Sequence, residues 1–399
     1  MNDLAEFNGK TVLVAGGLGF IGSNFMRALF NASPNVHVIC FDKQTYSGNP
    51  ANIDDLRMRY QFTKDSGQLI EIQGDIAVDG DLALAFAYQP DYVINFAAET
   101  HVDRSIHVGS IEFINTNVIG VYNILEQVKK TSSVKKYLQV STDEVYGQLP
   151  NPNDIPDNMM ETVQYKVEPY FRSIASREVA KWMKFNRNSP FKPNVPYSAT
   201  KASGDCLCNA YHHTWKLPVV VTHCSNNYGP YQYPEKMVPY WATRLLKGEK
   251  IPMYGDGLNI RDWIHVDDHI TALGAVLLRG EPGKDYLIGA DNERTNLEMA
   301  QIIIQNIHEI KGDDKKFSIN IEEHIEFVAD RPGHDRRYAI DHSDITKELG
   351  WEPMYGRKEF DAKIKESLVW YSEHVSWMQE IIKRTGVANA HIDLWKGVM

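Results

Sequence analysis

A β-branched run, Thr11–Ala15, leads directly into Gly16-Gly17-Leu18-Gly19-Phe20-Ile21-Gly22, and an amphipathic stretch, Ile21–Phe30, follows at once. No other segment restricts the fold so tightly. A strand that turns sharply into a helix through successive glycines is the opening unit of a doubly wound sheet. Glycine is required because a Cβ would obstruct the turn and keep an anion away from the free N–H groups at the helix start. Gly16, Gly19 and Gly22, with Phe20 and Ile21 between them, form the candidate pyrophosphate turn.

Further strands are predicted at Val36–Phe41, Leu69–Gln73, Tyr92–Phe96, Lys136–Val140 and Val219–His223. Helical patterns at Leu82–Ala87, Ile111–Lys130 and Ala199–Trp215 separate them. Near-continuous apolar strands alternating with helices imply a parallel sheet covered on both faces, with ligands beyond the carboxyl ends of its strands. At 399 residues, two domains sharing an interface are expected. Residues 1–225 read as an α/β Rossmann domain carrying an inserted excursion, 148–195. From residue 226 to 399 the alternation dissolves into Pro/Gly-rich segments such as Gly229-Pro230 and Arg331-Pro332-Gly333, which suits a smaller domain interleaved with the first. The excursion carries a predicted helix, Ser173–Arg187, and is expected near the site mouth or at a subunit contact, with neutral decoration as the alternative.

Composition excludes several classes. A net charge of −10 argues against nucleic acid as a partner. No apolar run approaches the ~18–20 residues of a membrane span, and no basic region followed by an apolar run opens the chain, so neither a membrane anchor nor a signal peptide is expected. Cys40, Cys206, Cys208 and Cys224 form no C-x-x-C pair, which fits reduced thiols in a cytoplasmic protein. His212-His213 lacks convergent carboxylates or thiolates and reads as structural, so no metal site is expected.

The chemistry is carried by a few side chains. Asp42 ends the second strand 20 residues after Gly22, where a carboxylate would bind ribose hydroxyls and repel a 2′-phosphate, favouring NAD over NADP. Asp75-Ile76 and Ala97-Ala98 follow the third and fourth strands, along the expected path of adenine and pyrophosphate. Tyr197 and Lys201 share a helical face at i, i+4, and the ammonium, helped by a positive nicotinamide, is expected to lower the phenol pKa so that Tyr197 acts as a base. Thr142 would hydrogen-bond the same substrate hydroxyl. Beside it, Asp143 and Glu144 form an acid–base pair, because neighbouring carboxylates in one cleft do not both ionise easily. A C4 ketone would let Glu144 take the C5 proton of a sugar while Asp143 protonates the departing C6 hydroxyl. His101 could reach the substrate, and Arg261, Arg331 and His334 sit in loop motifs suited to grip a diphosphate.

These segments together resemble the nucleotide-sugar 4,6-dehydratases of the extended short-chain dehydrogenase/reductase family, nearest the members that act on dTDP-glucose. The resemblance runs from about residue 10 to 375 through GGLGFIGSN, FDKQTYSGN, FAAETHVDRSI, STDEVYG, YSATKAS, SNNYGPYQYPEKMVP, YGDGxxIRDWIHVDDH and RPGHDRRYAID. It implies a Rossmann NAD-binding domain with a smaller, interleaved α/β substrate domain. It implies that Phe20, Ile21, Asp42, Lys43, Gln44, Thr45, Asp75, Ile76, Ala97, Ala98, Glu99, Thr100, Thr116 and Asn227 line the NAD site, with Tyr197 and Lys201 at its reactive end. His101, Thr142 and Asn226 would face the hexose. Lys236, Met237, Pro252, Met253, Tyr254, Arg261, Asn292, Arg331 and His334 would hold the nucleotide diphosphate. The implied reaction is oxidation at C4, loss of water across C5–C6 and return of hydride to C6 of dTDP-glucose or UDP-glucose. A homodimer built on Ile111–Lys130 and Ala199–Trp215 is implied as well. The 148–195 excursion, Cys206-Leu207-Cys208 and the tail after Trp377 depart from the family pattern. The competing readings are a sugar-nucleotide epimerase or decarboxylase, which needs no adjacent acid–base pair, and a non-catalytic NAD-binding scaffold.

Overall fold

The structure is a computed structural model that describes residues 3–60, 68–165, 171–312 and 317–385; the end of the C-terminal tail lies outside the described residues. Seven strands form its central sheet: β1 (Thr11–Ala15), β2 (His37–Asp42), β3 (Leu69–Gln73), β4 (Tyr92–Asn95), β5 (Lys136–Thr142), β6 (Val219–Cys224) and β7 (Asp285–Ile288). Their order is β7-β6-β5-β4-β1-β2-β3 and every pairing is parallel. The strand alternation places Val12 and Val14 in a core with α1 (Phe20–Ala32), while Leu13 and Ala15 enter the core on the opposite face. The order reverses between β1 and β4, the position where an open sheet leaves a crevice for a ligand. Gly16, Asp42, Thr142 and Cys224 all lie at the carboxyl ends of their strands, along one edge of the sheet.

The sequence predicts one continuous helix over Ile111–Lys130. The structure instead interposes a π-helical segment, Asn115–Gly120, between Ile111–Ile114 and Val121–Lys130. The widened turn presents Thr116 and Asn117 toward the sheet edge. Asn117 accepts the Glu99 N–H and donates to the Glu99 carbonyl and Thr200 Oγ1, each at 3.0 Å. A long helix, α2 (Pro196–Trp215), packs beside it and completes that face.

The second half is more regular than its Pro/Gly punctuation predicts. Helices Met237–Leu246, Asn296–Lys311 and Phe360–Glu373 enclose a separate core containing Trp241, Ile303, Ile304 and Leu368. Their apolar positions recur at helical spacing, which the intervening turns obscure in the sequence. The helix Val266–Arg279 and strand β7 return to the large sheet, where β7 pairs with β6.

The excursion differs from its predicted form. Residues 171–176 pair antiparallel with 160–165, and only Arg177–Trp182 is helical. Ser176 caps that short helix by accepting the Val179 N–H. The Arg337 guanidinium stops it, donating to the carbonyls of Ala180 at 2.8 Å and Met183 at 3.1 Å. Phe185 then joins the 339–341 segment through backbone hydrogen bonds to Ala339 and Asp341. Propensity favours a longer helix, and these tertiary partners outweigh it.

Candidate active site

A cavity of about 420 Å³ opens along the carboxyl edge of the sheet, and a lobe of about 80 Å³ adjoins it through Gly16, Gly19, Ser47, Phe96 and Ala98. The smaller lobe is shaped by backbone proximity. A Cβ on Gly16, whose φ is +78°, would lie 2.5 Å from the Ala97 nitrogen, and one on Gly22 would lie 2.3 Å from the Gly16 carbonyl oxygen. No side chain fits at either position, so the start of α1 stays open toward the lobe. Asp42 accepts the Leu18 N–H at 3.0 Å through Oδ2 and the Gln44 N–H at 2.7 Å through Oδ1. Burial raises its pKa and these two backbone bonds oppose the rise. Lys43 pairs with Asp75 at 2.7 Å. Thr45, Ile76, Ala97, Glu99 and Thr116 complete the lobe.

The larger cavity gathers the reactive side chains. Thr142 ends β5 and its hydroxyl accepts the Glu144 N–H at 3.3 Å, starting the 3-10 turn Asp143–Tyr146. Asp143, Glu144, Tyr197 and Lys201 line the same wall. Lys201 donates to the Val140 carbonyl at 2.7 Å, which fixes α2 against β5. Asp143 is buried and its pKa stands well above the carboxylate range, because of burial first and then the negative charges of Glu144 and Asp262. Glu144 is raised by burial too, but the charges nearest it include the cations Arg331, Arg261 and Lys236, which oppose the rise. Both carboxyls are raised, but the adjacent groups meet different surroundings, which makes Asp143 the better acid donor and leaves Glu144 the one opposed by cations.

The expectation for Tyr197 joins Lys201 with a positive nicotinamide, and the protein's own groups act in the opposite direction. Burial, Glu144, Cys224 and Asp143 push its pKa well up, and a hydrogen bond with Thr142 is the influence that lowers it. Lys201 is turned toward Val140 and is itself shifted down by burial. The protein's own side chains therefore keep the phenol protonated.

At the far end, His101 Nε2 lies 3.4 Å from Glu235 Oε2, and Lys236 donates to the Thr100 carbonyl at 3.0 Å. Arg261 donates to the carbonyls of Ile260 at 2.7 Å and Asp335 at 2.8 Å, and its guanidinium sits over the Tyr338 ring. Arg331 lies 3.6 Å from Asp103. His334 is held at 2.6 Å by Asp330, and burial drives its pKa down to about 4, so it faces the cavity as a neutral ring. Asn226, Asn227, Met237, Pro252 and Tyr254 line the same cavity, as do Phe20 and Ile21 from the start of α1.

Three expected residues stand off the walls. Asn292 is fully buried behind them, its N–H bonded to Asp262 at 2.8 Å and its side-chain amide to the Trp263 carbonyl at 3.3 Å. Met253 packs in the second core, because alternation along Ile251–Tyr254 turns Pro252 and Tyr254 outward and Met253 inward. Gln44 takes φ 57° and serves Asp42 through its backbone. Conversely, Ser225, Gln232, Tyr240, Asn296 and Tyr338 line the cavity and are absent from the expected set. Ser225, Gln232 and Tyr338 lie inside the sequence motifs and Tyr240 directly follows one, whereas Asn296 carries no local signal. No residue of the 148–195 excursion lines either cavity among the described residues.

The family profile described as GDP-mannose 4,6 dehydratase matches residues 13–364. A dTDP-glucose 4,6-dehydratase of Xanthomonas campestris is 40% identical over 93% of this chain and 96% of its own length. Among solved structures, the dTDP-glucose 4,6-dehydratase of Streptomyces venezuelae, with NAD and TYD bound, superposes with a TM-score of 0.76 at 36% identity, covering 93% of this chain and 99% of that one. The Bacillus anthracis enzyme in complex with NAD gives a TM-score of 0.73 at 38% identity, with the same coverage. Sequence, fold and the contents of the cavity agree, and the chain belongs to the GDP-mannose 4,6 dehydratase family of extended short-chain dehydrogenases.

Proposed function

We propose that this protein is an NAD-dependent hydro-lyase that converts an NDP-glucose, with dTDP-glucose first, to the 4-keto-6-deoxy product. One observation carries the reading: Thr142, Asp143, Glu144, Tyr197 and Lys201 line a single cavity contiguous with the glycine turn. An epimerase or decarboxylase has no use for the adjacent Asp143–Glu144 pair, and a scaffold has no use for any of the five. The glycine turn without room for a Cβ, and Asp42 at the end of β2, suit the pyrophosphate and adenosine ribose of NAD.

When bound, NAD supplies the acceptor for the hydrogen leaving C4, its later donor to C6, and a positive charge beside Tyr197. Thr142 holds the C4 hydroxyl and Tyr197 takes its proton. The phenolate would be favoured by the Lys201 ammonium only together with the positive charge of the bound cofactor. Once C4 is a ketone, Glu144 removes the acidified C5 proton while Asp143 passes its own proton to the C6 oxygen, which leaves as water. Asp143 suits that donation because burial and the neighbouring carboxylates raise its hold on a proton. Arg331, Arg261 and Lys236 flank Glu144 and the diphosphate path, so the same cations favour the ionised form of the base and hold the substrate.

Incubation with dTDP-glucose or UDP-glucose in deuterated water tests the assignment. Deuterium is expected at C5 of a 6-deoxy product, with faster turnover of the thymine nucleotide. Consumption of substrate without C5 labelling sinks it.

A homodimer is part of this reading. Ile111, Ile114, Ile119, Tyr122 and Trp215 are exposed on the two helices that the family resemblance assigns to the subunit contact. Sedimentation at micromolar concentration should give twice the chain mass, and a monomer there removes this part. A cytoplasmic location fits the four free cysteines. No described helix is long and apolar enough to cross a membrane.

A further inference from the structure

Beneath the reactive wall, on the side away from the cavity, Asp205 is fully buried one turn after Lys201 on α2. Its Oδ2 accepts the Ser141 hydroxyl at 2.6 Å and lies 3.3 Å from His223 Nε2. Ser141 and His223 are direct neighbours across β5 and β6, and the next pair in register is Thr142 and Cys224. His223 Nδ1 lies 3.0 Å from the hydroxyl of Tyr146, which closes the turn bearing Asp143 and Glu144. One proton arrangement satisfies every bond: Tyr146 donates to Nδ1, Nε2–H donates to Asp205, and Ser141 donates to the same carboxylate oxygen. A single carboxylate thus links the helix of the redox pair, the strand ends before Thr142 and Cys224, and the turn of the acid–base pair.

We propose that Asp205 is a positioning residue for the reaction, fixing the Tyr197–Lys201 helix to the Thr142–Asp143–Glu144 turn and setting a buried negative charge against the Lys201 ammonium. The proposal rests on the functional reading of Tyr197 and Lys201 above. The other titratable groups facing Lys201 are the thiols of Cys208 on its own helix and Cys224 on β6. Both are pushed up by burial, Cys224 to about 12, so neither carries charge near neutral pH. Facing Asp205 are His223, Asp285 on β7, Tyr137 on β5 and Tyr146. Burial pushes both phenols up and leaves them neutral, and burial raises Asp285 as well. Asp205 is accordingly the largest influence that opposes the loss of charge at Lys201.

Asp205→Asn keeps the shape and removes the charge. With dTDP-glucose and saturating NAD, the alkaline limb of the pH–rate profile is expected to move down by about one pH unit, because Lys201 then loses its proton earlier. The Tyr197 phenolate is read as the difference in ultraviolet titration made by the Tyr197→Phe substitution, and it should appear at higher pH in the Asp205→Asn background. That second readout needs no turnover, so an inactive wild-type protein overturns the functional reading while the titration still decides this one. An unmoved limb together with an unmoved phenolate titration overturns the proposal. Should Asp205→Asn fail to fold, Ser141→Ala keeps the charge but removes one tie. It is expected to lower kcat at least about threefold with KM unchanged, and an unaltered kcat overturns the positioning role.

Discussion

Trp377 donates its indole N–H to Oδ1 of Asn52 at 3.0 Å, and Asn52 in turn donates to the carbonyl of Leu18, at 2.9 Å, inside the glycine turn. The C-terminal helix Val375–Thr385, whose sequence gives no hint of a role, therefore reaches the cofactor lobe. Arg384 adds weaker bonds to the carbonyls of Tyr46 and Gly48, on the loop that wraps Asp42. Trp377→Phe leaves Asn52 Oδ1 buried without its donor, a cost of about 1–3 kcal/mol. The expected outcome is faster NAD loss on desalting and a lower melting temperature whose difference narrows at saturating NAD. Equal retention by both proteins would remove the helix from the cofactor site.

Glu144→Gln removes the base but keeps the size of the side chain. The variant should bind NAD and oxidise C4, seen as a rise in reduced nicotinamide absorbance after one addition of substrate. Water loss should slow by about 10²–10⁴-fold, because no carboxylate receives the C5 proton. Normal 6-deoxy product at the wild-type rate contradicts the assignment of Glu144.

His269 is fully buried, bonded through Nδ1 to Asn227 Oδ1 at 2.9 Å, and burial lowers its pKa to about 3. Its ordinary value of 6.5 returns on unfolding, so the unfolded chain binds more protons in acid. The stability this neutral ring contributes is therefore complete above about pH 6.5 and is lost as pH falls toward about 3. Each pH unit in that window costs about 1.4 kcal/mol. His269→Gln should flatten the fall in melting temperature between about pH 6 and about pH 4 relative to wild type. Parallel curves for the two proteins are the contrary result.

Arg337 is buried, pairs with Glu293 at 2.7 Å, and donates to carbonyls of the 148–195 excursion. Arg337→Leu leaves those acceptors and Glu293 without a partner, at a cost of about 3 kcal/mol. Limited proteolysis should then cut within the excursion first, before the central sheet opens. Unchanged stability with an uncut excursion would mean that Arg337 does not hold it in place.

Much of the candidate site can be read from local pattern. The glycine turn follows from a backbone requirement, and Asp42 from its place at a strand end. The i, i+4 spacing of Tyr197 and Lys201 fixes one shared face whatever surrounds the helix. The adjacent Asp143 and Glu144 lie on one turn, so one cleft receives both. The excursion departs from its sequence pattern because local propensity at Ser173–Arg187 favours helix, whereas Arg337 and the edge at Ala339, remote in the chain, end that helix early. Met253 differs from expectation by one step of strand alternation, and Asn292 because a motif position does not reveal which side of the wall a side chain takes.

What the sequence determined by itself was the strand–helix alternation of the first half, the phosphate turn and the candidates for the reacting groups, since each depends on neighbours within a few residues. Which charges surround those groups was decided by the tertiary structure alone. Asp143 is pushed up by burial first, then by Glu144 beside it and Asp262 from a distant strand; Glu144 meets Arg331 across the cavity; and Tyr197 is raised by burial and by the charges of Glu144 and Asp143. Electrostatic work depends on distance and burial, and both are set only when remote segments of the chain pack together.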